Sequence, residues 1–187
     1  MAVTGRTITA RTATERMADL LHLWALAPAT LGACCVAADR GRARAPELAA
    51  SVLMVLAMAD AATGSRMLAP VLWAALLVVA AMALAAVRGR RRSAAAHPAP
   101  AMSVMTTLGL VVMAALTVAM GVHGAGHATG HAHGVGAPGL ALGVGAVTAA
   151  YVGAAGVLAV RGMPRLDRVQ YAAMGASTLL MGLAALV

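Results

Sequence analysis

The chain has 187 residues, of which 61% are hydrophobic, 11% are charged and 2% are aromatic. Soluble domains have about a quarter of their residues charged, so this composition excludes an ordinary soluble protein and predicts a membrane protein. The net charge of +8 is spread between long apolar segments, so no nucleic-acid partner is expected. Cys34 and Cys35 are adjacent and cannot join distant parts of the chain, which excludes a disulfide scaffold.

Apolar windows long enough to cross the hydrocarbon core of a bilayer, about 20 residues each, recur along the chain. They predict an all-α fold, a polytopic membrane helix bundle of six transmembrane helices, with connections too short for a second domain. We expect an N-terminal tail at 1–19 and one transmembrane domain at 20–187. The predicted helices are 20–38, 47–63, 67–87, 101–122, 139–160 and 169–187.

Arginine is unevenly distributed between the connections of this predicted bundle. Cytoplasmic loops carry an excess of positive charge, so the arginine-rich connections are expected in the cytoplasm. Both termini, the turn at 60–66 and the loop at 123–138 are then extracytoplasmic, in a protein of the plasma membrane. Arg66 is alone in the poor connections, whereas the rich ones contain Arg40, Arg42, Arg44, Arg88, Arg90, Arg91, Arg92, Arg161, Arg165 and Arg168.

The N-terminal tail does not fit this orientation, because its three arginines would lie outside the cell. One interpretation is that Met17 is the physiological start and that the preceding residues are an upstream extension of the gene. The other is that residues 1–33 form a lipoprotein signal peptide that ends before Cys34. The second interpretation inverts every later helix and places the loop arginines outside, so we favour the first.

Four of the six histidines lie in the loop between the fourth and fifth predicted helices. Imidazole binds Cu(II), Ni(II) and Zn(II), and the intervening glycines allow several rings to reach one ion. The loop has no cysteine and no fixed spacing to a distant ligand, so metal binding and an incidental, solvated loop are alternative interpretations. The loop histidines are His123, His127, His131 and His133.

Methionine recurs at matching positions in three of the predicted helices. Residues 113–121 and 174–182 agree at five of nine positions, and Met54 and Met58 begin the same frame in the second helix. This spacing indicates a two-helix unit repeated three times. Residues four and seven positions apart share one helical face, so these Met and Thr faces are expected to line one surface. The surface is either core packing, for which Met is a common filler, or a set of thioether ligands for Cu(I).

Several potential metal ligands fall toward the outer ends of their predicted helices, beneath the His-rich loop. They are His22, Met58, Asp60 and Met120. Imidazole, carboxylate and thioether groups bind metals of different softness. The predicted metal site combines these residues with the loop histidines, and the expected cofactor is copper, as Cu(I) or Cu(II), or zinc. His22 is expected to be hydrogen-bonded or interfacial rather than a haem ligand, because no other helix offers a partner for haem.

The fifth predicted helix carries small residues at intervals of four, a pattern typical of helices that approach closely. Tyr151 lies in the middle of this helix and is expected to find a hydrogen-bond partner there. The small residues are Gly139, Gly143, Gly145, Ala149 and Gly153.

A short first helix precedes outward-running helices with paired methionines. The residues that carry this pattern are Arg40, Met54, Met58, Met174 and Met181. The pattern resembles the actinobacterial integral membrane proteins that are grouped under a domain of unknown function, over roughly residues 17–187. The resemblance implies a multi-pass plasma-membrane protein of uncharacterised role.

Members of that family often carry His three residues before the first Met of the pattern. This chain has Ser51, Leu110 and Tyr171 at those positions. The difference shifts the expected metal contact from an intramembrane His and Met site toward the His-rich loop.

Three classes of function fit the sequence, and none of them is enzymatic, because no nucleophile with an adjacent base is evident. Copper binding or handling at the outer face accounts for both the loop and the Met faces. A non-catalytic accessory or scaffold subunit accounts for the bundle, with membrane proteins or further copies of the chain as partners beside the lipid bilayer. A small-solute transporter accounts for the repeat, although charged or broken-helix features at the membrane middle are not evident.

The arginine distribution predicts the topology of two connections. In a background in which Cys34 and Cys35 are replaced by Ala, Ala128→Cys should react with an impermeant maleimide on intact cells. Ser93→Cys should react only after permeabilisation, because it lies in an arginine-rich connection. The reverse labelling pattern would contradict the orientation.

Overall fold

The computed structural model describes residues 13–38, 45–64, 67–94, 101–124, 137–161 and 165–186. Over these ranges the chain forms six α-helices and no strand, which confirms the predicted all-α helix bundle. The helices are α1 (Ala13–Ala38), α2 (Ala45–Thr63), α3 (Pro70–Ala94), α4 (Ala101–Gly124), α5 (Ala137–Val160) and α6 (Arg165–Ala184).

The first five helices are long and apolar enough to cross a membrane. By the same measure α6 is too polar, because Arg165, Asp167, Arg168 and Gln170 all lie in its N-terminal part. Helix α6 packs against α1, α4 and α5 and buries Gln170 and Thr178, whereas Arg165 and Arg168 at its start are exposed. Length and hydropathy therefore support five of the six predicted spans, and the span predicted at 169–187 stays a prediction.

Large apolar side chains cover the outside of the bundle. Trp24 and Met82 are each 68% exposed and Leu142 is 76% exposed. So much exposed apolar surface is unfavourable in water and would make a soluble protein aggregate, whereas lipid tails accommodate it. These features fit a membrane-embedded protein whose helices contact the lipid bilayer.

Helix α4 occupies the centre of the bundle, where it packs against α2, α3, α5 and α6. The contacts of α5 with α6 show that these two helices run antiparallel. A Cβ atom at Gly175 would lie 3.2 Å from Ala155, and one at Gly182 would lie 2.9 Å from Thr148. The small residues on α6 therefore set the close approach of the two helices.

The methionines of the internal repeat are in the core. Met58, Met113 and Met181 are almost fully buried, and Met120 is partly buried at the edge of the same cluster. The threonines of the repeat form hydrogen bonds within their own helices. The Thr117 hydroxyl, for example, donates to the Ala114 carbonyl at 2.8 Å. Core packing thus accounts for most of the Met and Thr positions that recur in the sequence.

Local sequence signals explain several helix ends. Gly64 follows α2 with a φ of 61°, the left-handed conformation that commonly ends a helix at glycine. Pro70 begins α3, where its missing N–H has no helical partner to lose. The Arg168 side chain donates from Nε to the Ala159 carbonyl at 2.9 Å, which satisfies an otherwise free carbonyl in the last turn of α5.

Two expectations about α5 are wrong within the described chain. A Cβ atom at Gly143, Gly145 or Gly153 would meet nothing within 4 Å, so the small residues do not bring α5 close to another helix. The Tyr151 hydroxyl has no hydrogen-bond partner among the described residues. It points at Gly109 instead, where a Cβ atom would lie only 2.8 Å from the hydroxyl oxygen.

We expect Gly109→Ala to destabilise the protein, because the new methyl group overlaps the rigid Tyr151 ring. Overpacking of this kind costs about 1–3 kcal/mol. Thermal unfolding in detergent should show a lower midpoint for this variant. Gly143→Ala is the control, since its methyl group meets only open space. In a Tyr151→Phe background the cost should shrink, and an equal cost there would contradict the proposed overlap.

Candidate metal-binding site

The turn between α2 and α3 lies at the same end of the bundle as the C-terminus of α4. This end is called the α2–α3 end below. A Cβ atom at Gly121 would lie 2.9 Å from the Pro70 side chain, so the start of α3 packs directly on the last turns of α4. A residue with a Cβ atom would clash with Pro70, so glycine is required at this close approach, directly after Met120.

His22 and Met120 meet at this end, although 98 residues separate them in the chain. The His22 Nε2 atom lies 3.3 Å from the Met120 sulfur, and both residues are partly buried. The backbone of Ala18, one turn earlier in α1, lies next to the same ring. One imidazole and one thioether, both predicted as ligands from the sequence, are therefore in contact.

The Asp60 carboxylate accepts hydrogen bonds from two groups of its own hairpin. The Met67 backbone N–H donates to Oδ1 at 2.9 Å, and the Trp73 indole Nε1–H donates to Oδ2 at 2.6 Å. The side chain is 7% exposed. A buried carboxylate needs such partners, and here it links the end of α2 to the first turn of α3. The contacts of Asp60 are thus those of a residue that holds the turn together.

The other predicted ligands divide into two groups. Met58 is 1% exposed and packs in the hydrophobic core, as a filler would. His123 lies in the last turn of α4, three residues after Met120. His127, His131 and His133 lie outside the described residues.

Over the described ranges, three or more His, Cys, Asp or Glu residues do not come together in a group that could hold a metal ion. A site at the α2–α3 end therefore depends on sulfur from methionine, which the His22 and Met120 pair provides. This pair suits a soft ion such as Cu(I) better than zinc, which prefers thiolate, imidazole and carboxylate.

Sequence reasoning missed the residues that organise this end. The roles of Trp73, Pro70 and Gly121 depend on how α3 is seated on α4, and spacing along the chain does not report this. Of these three residues, only Trp73 could have been identified from the sequence, because a tryptophan near a membrane boundary usually directs its N–H to a polar partner.

Comparison of the chain with protein families, with curated proteins and with solved structures found no match. The class of the protein therefore rests on its own fold: it is a membrane-embedded, all-α helical bundle. The resemblance to the actinobacterial membrane proteins stays a prediction.

We expect Asp60→Asn to lower the free energy of unfolding by about 1–3 kcal/mol, because one of two buried donors loses its acceptor. Trp73→Phe should also destabilise, and the double variant should cost less than the sum of the two. Chemical unfolding in detergent measures all three. Trp24→Phe is the matched control, because Trp24 is exposed to lipid. Strict additivity of the two changes would contradict a direct Asp60 to Trp73 bond.

Proposed function

We propose that this protein binds and handles copper at the extracytoplasmic face of the plasma membrane. The observation that carries the proposal is the 3.3 Å contact of His22 Nε2 with the Met120 sulfur. The His-rich loop that follows α4 supports it, since the loop begins at the same end of the bundle as this pair.

The separation of the two atoms suits a shared ion. With bond lengths like those of zinc, about 2.0 Å to imidazole nitrogen and about 2.3 Å to sulfur, two ligands of a tetrahedral ion lie about 3.5 Å apart. The observed 3.3 Å needs only a small movement to admit an ion. Cu(I) is favoured because the thioether is a soft ligand.

Copper binding at His22 requires the ring tautomer in which Nε2 has a free lone pair. Histidine ligands generally donate their second ring N–H to a carbonyl or carboxylate, which fixes the ring and frees the other nitrogen. In this proposal the backbone carbonyl of Ala18, one turn earlier in α1, is that partner. In the Nδ1–H tautomer, the Nε2 lone pair is directed to the side on which the Met120 sulfur lies.

In this proposal, histidines of the loop supply further ligands to the ion that His22 and Met120 bind. His123 is the nearest loop histidine in sequence to Met120, and His127, His131 and His133 follow it. The loop binds Cu(II) or Zn(II) through imidazole, and the His22 and Met120 pair binds copper that arrives as Cu(I), because thioether sulfur prefers the lower oxidation state. Asp60 and Met58 have structural contacts and are not assigned as ligands here.

The orientation follows from the arginines. Three connections rich in arginine, at 39–44, 88–100 and 161–168, alternate with the poor ones along the chain. The positive-inside rule places the rich connections in the cytoplasm and the α2–α3 end outside. The proposed site then faces the compartment from which a cell meets external copper.

The test is Cu(I) affinity of the purified full chain in detergent, measured anaerobically by competition with a chromogenic chelator. His22→Gln and Met120→Leu should each weaken binding by at least about tenfold, equivalent to about 1.4 kcal/mol. Leucine has nearly the volume of methionine, so folding should change little. Replacing His127, His131 and His133 by Ala should remove Cu(II) binding and spare part of the Cu(I) binding.

Met181→Leu is the matched control, because Met181 occupies the position equivalent to Met120 in the repeat but is fully buried in the core. It should bind Cu(I) as the parent does. Parent protein that binds no Cu(I), or binds it equally well without His22 and Met120, would overturn the proposal.

A second candidate function is a non-catalytic accessory subunit of a membrane complex. The observation that favours it is the open face of α5, where Gly143, Gly153 and Gly156 have no neighbour within 4 Å of a Cβ position. Small residues on a lipid-facing helix permit close approach of another transmembrane helix. This function would replace copper handling if the chain binds no copper.

A further inference from the structure

A cavity of about 190 Å³ lies between α4, α5 and α6. Its walls are apolar and include Leu116, Ala119, Val144, Gly145 and Leu183. Ala149 and Leu183 line the cavity and are also exposed, so the cavity reaches the outer surface of the bundle. Because α5 is apolar enough to cross the membrane, this opening faces lipid rather than water.

Thr148 is the exception to this apolar lining. Its side chain is 6% exposed, and its Oγ1 atom has no hydrogen-bond partner among the described residues. Several buried serine and threonine hydroxyls donate to a carbonyl of their own helix, as Ser177 and Thr178 both do to Met174. In hydrocarbon no water compensates for a missing partner, so a ligand oxygen is the natural one.

The size of the cavity limits the ligand. An engineered apolar cavity of about 150 Å³ holds benzene, so this one accommodates a ring or a short alkyl chain of slightly larger size. Thr148 lies seven residues into the apolar part of α5, which begins at Ala141. At 1.5 Å per residue this places the hydroxyl about 10 Å below the start of the span, deeper than phospholipid headgroups and esters lie.

We propose that this cavity binds a small apolar molecule that is dissolved in the bilayer and carries a single hydroxyl or carbonyl oxygen. The hydrocarbon body fills the space between α4, α5 and α6, and the oxygen pairs with Thr148. The ligand enters this cavity from the lipid side, and the cavity is separate from the proposed copper ligands.

Photolabelling of the full chain in liposomes tests the proposal. The probes are a medium-chain alcohol that carries a diazirine and the alkane of the same length with the same group. The alcohol should label the segments around 144–149 and 179–186 in the parent, and the unmodified alcohol should compete. Thr148→Val should reduce labelling by the alcohol about fivefold and leave labelling by the alkane unchanged, because only the hydrogen bond is lost.

Gly145→Leu should abolish labelling of these segments by both probes, since a side chain at this position projects into open space that the cavity provides. Gly143→Leu is the control, because Gly143 does not line the cavity and its side chain would meet only open space. Equal labelling by the alcohol and the alkane in both the parent and Thr148→Val would overturn the assigned role of Thr148. Labelling that survives Gly145→Leu, or that appears as a cross-link to a second copy, would overturn the cavity as the site.

Discussion

Polar groups inside this bundle have no water to bind, and most of the buried ones find a partner within the protein. Hydroxyls on α4 and α6 turn back to carbonyls of their own helix, as Thr117 and Thr178 do. Asp60 cannot do this, because a carboxylate only accepts, and it draws its donors from the turn and from Trp73. The α2–α3 hairpin is therefore fixed by one acidic side chain, while the rest of the core is held by packing.

The packing itself depends on glycines at particular faces. Gly109, Gly121 and Gly182 each face a neighbour at under 3 Å from a Cβ position, whereas the glycines along α5 face open space. Lipid tails are as apolar as the side chains, so helices gain by fitting closely rather than by leaving the solvent. Two of these three close contacts are with side chains of α5, Tyr151 and Thr148, so α5 is held on one face and open on the other.

The spans were predictable because a bilayer imposes length and apolarity on any helix that faces lipid. The same rule does not report which polar residues find shelter inside the bundle, as Gln170 and Thr178 of α6 do. Spacing also placed His22 and Met120 at one end of the bundle, since both lie near the ends of the predicted helices 20–38 and 101–122. Their contact depends on the rotation of α1 against α4, which no single helix encodes. The small residues of α5 misled for the same reason: a pattern shows that a face permits packing, not that a partner is present.

The contact between His22 and Met120, which carries the proposed function, also depends on residues that pack the helices together. The pair lies beside Gly121, and the seating of Pro70 on that glycine fixes the end of α4 that carries Met120. Asp60 and Trp73 in turn hold α3 in register with α2. A thioether has a flexible side chain, so a soft ion can be admitted by rotation of Met120 while the backbone around it stays in place. If copper binds as proposed, the hairpin held by Asp60 and the flexible Met120 side chain would let this end of the bundle exchange an ion without unfolding.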